Sequence, residues 1–92
     1  MKSAARDLAT YAIEHGYTVS VDGDGDELDI VDSVSVHAIM REATSVDECR
    51  FIFRKPGEKT ESAYIVFGND PDEEVADFSI DGMIDQWFET FF

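Results

Sequence analysis

Cys49-Arg50-Phe51-Ile52-Phe53-Arg54 is the stretch that decides the fold. Its aromatic and basic residues alternate. In an extended chain Phe51 and Phe53 therefore share one face, and Arg50 and Arg54 the other. A strand patterned this way belongs to a sheet covered on one side. Pro56-Gly57 follows, with proline and glycine at the two central positions of a turn. Residues 62–67 return as the partner strand. Upstream, Tyr17, Val19 and Val21 alternate with Thr18, Ser20 and Asp22, which predicts a half-buried strand. Gly23-Asp24-Gly25-Asp26 is a turn, and Leu28, Ile30 and Val31 make a short second strand. Residues 17–31 thus read as a hairpin. Residues 75–78 add a short edge strand.

Three helical patterns surround these strands. Residues 3–15 place Ala5, Leu8, Ala9, Ala12 and Ile13 on one face, with Ser3 as N-cap and His15-Gly16 as the stop. Residues 33–44 fit two readings. Val34 and Val36 alternate with serines as in a strand, while Val36, Ile39, Met40 and Ala43 form a helical stripe behind Asp32, Ser33 or Ser35. The helix, at about 34–44, is preferred. Residues 80–91 carry the widest stripe: Ile80, Met83, Ile84, Trp87, Phe88 and Phe91, with Ser79 or Asp81 available to cap it. Ninety-two residues, 43% hydrophobic with eleven aromatics, make one folded domain spanning residues 1–92. The expected class is α+β: a four- to five-stranded, mainly antiparallel sheet with about three helices packed on it.

The net charge of −14 sits in two stretches without lysine or arginine. Residues 22–32 contribute −6 through Asp22, Asp24, Asp26, Glu27, Asp29 and Asp32. Residues 68–92 contribute −8 through Asp70, Asp72, Glu73, Glu74, Asp77, Asp81, Asp85 and Glu89. The rest of the chain balances. Charge placed this way attracts a basic partner over a distance, and direct contact with nucleic-acid backbone or an anionic membrane is disfavoured. If residues 77–89 were helical, Asp77, Asp81, Asp85 and Glu89 would step about 6 Å apart, close to the spacing of phosphates along a strand. Both stretches, Asp32 aside, are the candidate partner-binding residues, for a basic and nucleic-acid-handling protein. The competing reading is a solvated acidic surface, or a homodimer or assembly subunit acidic only for solubility. Three lysines against twelve aspartates fit salt adaptation as well.

Chemistry-bearing motifs are sparse. Asp22 to Asp29 alternates carboxylates as a calcium loop does, but Glu27 stands where that loop needs glycine and Ser33 where it needs a bidentate glutamate. His15, His37 and Cys49 have no spacing that suggests a metal site or a nucleophile with its base, and no phosphate-binding glycine loop occurs. No enzyme, metal or cofactor is expected. Cys49 reads as a small buried residue. One cysteine, the absence of a signal-peptide pattern in residues 1–15 and the absence of a membrane-length apolar run predict a reducing, cytoplasmic setting.

Tyr17-Thr18-Val19-Ser20-Val21 before an acidic hairpin resembles the opening of small phage-borne proteins. Phe67-Gly68-Asn69-Asp70-Pro71, followed by Val75-Ala76-Asp77-Phe78-Ser79, resembles a tail found in short phage and prophage proteins. In size, charge and element order the chain is also similar to anti-CRISPR and anti-restriction inhibitors. That likeness implies nucleic-acid mimicry against basic host machinery.

Repulsion within each acidic stretch is screened as salt rises. The thermal midpoint at pH 7 should therefore climb between about 10 and 500 mM NaCl. Calorimetry at several salt concentrations checks this, and a flat midpoint would show the carboxylates to be paired or well separated.

Overall fold

The alternation that opens the sequence becomes the central strand of the sheet. The computed structural model describes residues 3–23, 30–67, 75–79 and 82–91. Its elements run α1 (Ala4–Glu14), β1 (Thr18–Asp22), β2 (Ile30–Ser33), α2 (Val36–Ala43), β3 (Glu48–Arg54), β4 (Glu61–Val66), β5 (Val75–Phe78) and α3 (Met83–Phe91). The five strands form one sheet in the order β2-β1-β3-β4-β5, with every neighbouring pair antiparallel. This is the expected α+β class, with five strands and three helices.

Cys49, Phe51 and Phe53 of β3 are buried on one face together with Val19 and Val21 of β1 and Ala63 and Ile65 of β4. The helices cover that face. Arg50 and Arg54 lie on the other, exposed. Between β3 and β4, Lys55-Pro56-Gly57-Glu58 makes the expected turn. Gly57 has φ +81°, and the Glu58 amide donates to the Lys55 carbonyl at 3.0 Å. Proline presets the second residue and glycine tolerates the positive φ of the third.

Helix α1 starts at Ser3, whose hydroxyl accepts from the Arg6 amide at 3.3 Å. It ends in a Schellman closure. Gly16, at φ +89°, donates to Ile13, and Tyr17 donates to Ala12. Ala4, Ala5, Ala9 and Ala12 are fully buried, which lets the helix lie close to its neighbours. Of the two readings of residues 33–44 the helix holds: Ser35 caps α2 by accepting from Ala38 at 3.2 Å. Ile39, Met40 and Ala43 face the core. The strand reading survives only as far as Ser33, where β2 ends. Leu28 lies outside the described residues.

Helix α3 is held differently from the expectation. Ser79 does not cap it, because its hydroxyl and amide are both engaged with Ser62 of β4. Asp81 lies outside the described residues. The Met83 and Ile84 amides instead donate to the two carboxylate oxygens of Glu61, at 2.9 and 3.1 Å. Trp87, at 1% exposed, packs into the core, and its indole N–H donates to Asp7 of α1 at 2.8 Å. Phe91 stacks on Trp87 and packs against the core rather than standing free, while Phe92 lies outside the described residues.

Trp87 therefore joins α3 to both the sheet and α1. Trp87→Ala should cost about 3–5 kcal/mol, as for other large core aromatics. Trp87→Phe should cost less, since it keeps a ring and loses the hydrogen bond. Denaturant unfolding of both variants checks this, and a Trp87→Ala variant of undiminished stability would move the α3 stripe out of the core.

Candidate interaction surface

Strand register decides where the two acidic stretches lead. Asp22 pairs with Arg50, and Val21 with Ile30, so the chain leaves β1 at Gly23 and re-enters β2 at the end of the sheet where β3 begins. Val66 pairs with Glu48, and Ile65 with Val75, so the chain leaves β4 and re-enters β5 at that same end. The Phe67 amide, donating to the Asp47 carbonyl at 2.8 Å, ties the second exit to the start of β3. Strands β1 and β4 are separated only by β3, about 10 Å apart. That is about one Debye length at 0.1 M ionic strength, so the fields of the two exits still overlap. Residues 22–29, 47–48 and 67–75 together hold eleven of the 21 acidic residues and no lysine or arginine.

Of the candidate residues, Asp24, Asp26, Glu27, Asp29, Asp70, Asp72, Glu73, Glu74 and Asp81 lie outside the described residues. Asp22 stands at the end of β1. Asp77 is exposed in β5, opposite Tyr64, on the sheet face that the helices leave open. Asp85 and Glu89 lie on α3, on the covered side. The spaced row Asp77, Asp81, Asp85, Glu89 therefore does not run along one helix, because Asp77 belongs to a strand. Among the described residues of the row, Asp85 and Glu89 keep the one-turn spacing.

The open face carries a row across four strands: Asp22, Arg50, Tyr64 and Asp77. The Arg50 guanidinium lies 5.9 Å from the centre of the Tyr64 ring. A hydrogen bond to Glu48 raises the Tyr64 phenol above its ordinary pKa. Desolvation and the Glu48 charge add to this, and Arg50 opposes it. Nearer β2, Asp32 has φ +48° in an irregularity of the β1–β2 pairing. Its amide donates to the buried Ser20 hydroxyl at 2.9 Å, and its carboxylate accepts from Thr18 at 3.0 Å and Arg54 at 3.5 Å. Asp32 is thus occupied in closing the edge of the sheet. Val31 and Val34 flank it, 58% and 65% exposed.

The opposite end of the sheet is different in character. The β3–β4 turn, the end of α1 and the start of α3 enclose a half-open cleft of about 380 Å³. His15, Tyr17, Lys55, Glu58, Lys59 and Glu61 line it. Glu61 is 6% exposed and occupied by the α3 amides. A side chain on Gly82 would place its Cβ 2.7 Å from the Glu61 carboxyl atoms, so glycine is what allows the carboxylate so near the helix start. The Lys55 ammonium sits 5.6 Å from the Tyr17 ring centre. Burial raises the Tyr17 phenol above its ordinary pKa, and the charges of Glu61 and Glu58 add to it. The sequence reading missed Glu61. Its signal was present: Glu61, Ala63 and Ile65 share one face of β4, so a carboxylate stands in an apolar row.

His15 caps α1 with Nδ1 2.8 Å from the Tyr11 carbonyl, and Cys49 is buried in β3. Among the described residues no group of three or more His, Cys, Asp or Glu side chains is placed to hold a metal. Among the described residues, no helix is long and apolar enough to cross a membrane. Compared with known proteins, the chain matches no family model, no curated protein and no solved structure.

Folding favours the protonated Tyr17 phenol. Its contribution to stability is present below about pH 10, the unfolded value, and is lost as pH rises through the higher folded value. Tyr17→Phe should therefore flatten the alkaline fall of the urea midpoint above about pH 10. Unfolding curves of both proteins across that range check this, and parallel slopes would contradict it.

Proposed function

We propose that this is a non-enzymatic interaction protein, of phage or mobile-element type. It binds a basic, nucleic-acid-handling protein through its acidic end and competes there with nucleic acid. The observation that carries the reading is the register: the chain leaves β1 and β4 and re-enters β2 and β5 at one end of the sheet, and the sequence between those points, 23–29 and 67–74, holds eight acidic residues and no lysine or arginine. Concentrated carboxylates on a folded support present a cationic groove with the charge a phosphate backbone would bring. Asp85 and Glu89, on the helix layer, are secondary in this reading.

A specific observation keeps one other reading in view. Val31 and Val34 expose apolar side chains at the β2 edge, as a self-associating subunit would. Acidity would then serve solubility alone.

The test is capture of a partner from a host lysate at low salt, followed by measured affinities for that partner. Replacing Asp24, Asp26, Asp70 and Asp72 together by Asn keeps side-chain size and removes four charges. Affinity should fall at least about tenfold, or roughly 1.4 kcal/mol. Asp85→Asn with Glu89→Gln should change it by less. Binding should weaken steeply with salt, and the partner's own nucleic acid should displace the protein. Undiminished affinity in the fourfold variant would reject the acidic end as the contact. Loss of self-association in Val31→Ser/Val34→Ser, with no salt-dependent partner, would favour the subunit reading.

A further inference from the structure

The cleft at the opposite end of the sheet gathers basic side chains in a strongly acidic chain. Two of the three lysines in the chain, Lys55 and Lys59, line it together with His15. Among the described residues neither lysine has a carboxylate oxygen at ion-pair distance. Lys55 is steered inward by the Tyr17 ring beneath its ammonium. His15 has Nδ1 engaged with the Tyr11 carbonyl, which leaves Nε2 as its free ring nitrogen. Gln86 adds an amide from α3.

Two carboxylates share the lining, and they differ. Glu61 gives both oxygens to the first amides of α3, whose partial positive charge offsets part of its own. Glu58 stands in the exposed β3–β4 turn. Among the described lining residues two ammonium groups thus face one carboxylate at the rim, Glu58, and one, Glu61, that the α3 amides only partly offset. The molecular net charge does not cancel this. Strand β1 alone separates the cleft from the acidic end by about 13 Å, more than a Debye length at physiological salt. The volume, about 380 Å³, is in the range of sites that enclose small ligands.

We propose that this cleft binds a small multivalent anion, held between Lys55 and Lys59 with His15 and Gln86 as hydrogen-bonding partners. Phosphate groups and polycarboxylates share that chemistry. The site is separate from the acidic end, so its failure or success is independent of the function proposed above.

The test follows backbone amide shifts at pH 7 and constant ionic strength while sodium phosphate is added, and sodium citrate in a second arm. Tyr17, Lys55, Lys59, Gly82 and Gln86 should shift along one saturating curve. Lys55→Gln with Lys59→Gln should weaken binding at least about tenfold, and Glu58→Gln should tighten it by about threefold, because it removes the rim carboxylate. Saturation with both anions supports a general multivalent-anion site, and saturation with one alone assigns the ligand to that chemistry. Absence of saturation in both arms, shifts centred elsewhere, or equal affinity in the lysine and Glu58 variants would overturn the proposal.

Discussion

The two oxygens of the Glu61 carboxylate accept the first two amides of α3, and the closure of the core rests on that contact. Helix α3 has nine residues, too few to persist alone in water. Its leading amides have no partners within the helix. Burying a carboxylate is costly unless its lone pairs are satisfied, and burying helix amides is costly for the same reason. Each group removes the cost of the other. Gly82 leaves room for the meeting, since a Cβ there would lie 2.7 Å from the carboxyl atoms and the carboxylate would have to shift. Once α3 is fixed at this end of β4, Met83, Ile84 and Trp87 fall onto the sheet and Trp87 reaches Asp7 of α1.

The same framework separates charge along the strand direction. Both acidic exits leave from the end where β3 begins. The Lys55–Lys59 turn and the cleft occupy the end where β3 finishes. Arg50 stands in register with Asp22 beside the acidic exits, and Arg54 lies at the other end of β3, both along the open face. There Arg50 lies over Tyr64 and Arg54 pairs with Asp32. The molecule thus offers a partner one strongly negative end, one face of alternating charge, and one polar cleft.

Features that depend on local rules were legible in the sequence. Residue alternation located β3, Ser3 and His15-Gly16 bounded α1, and Pro56-Gly57 marked its turn, because each rests on the residue's own backbone preference. What depended on distant partners was not legible. The cap of α3 comes from a residue more than twenty positions away, while Ser79, nearer in sequence, is taken by Ser62. Asp32 looked like one more charge in an acidic stretch, yet its left-handed conformation and three partners make it part of the sheet edge. The four-residue spacing from Asp77 to Glu89 means a row only within one helix, and a strand intervenes. The convergence of the acidic exits required knowing that β1 lies beside β3 and runs antiparallel to it. The crossover through α2 sets that direction, and no local signal in the sequence fixes it.

Native-state hydrogen exchange at Met83 and Ile84 tests the central contact most directly. The first amides of a helix ordinarily exchange without protection, because they lack acceptors. With Glu61 in place, both should be protected to nearly the level of the β3–β4 pairs. In Glu61→Ala that protection should vanish at these two amides while β3 and β4 keep theirs. Rapid exchange of Met83 and Ile84 in the unmodified protein would contradict the account.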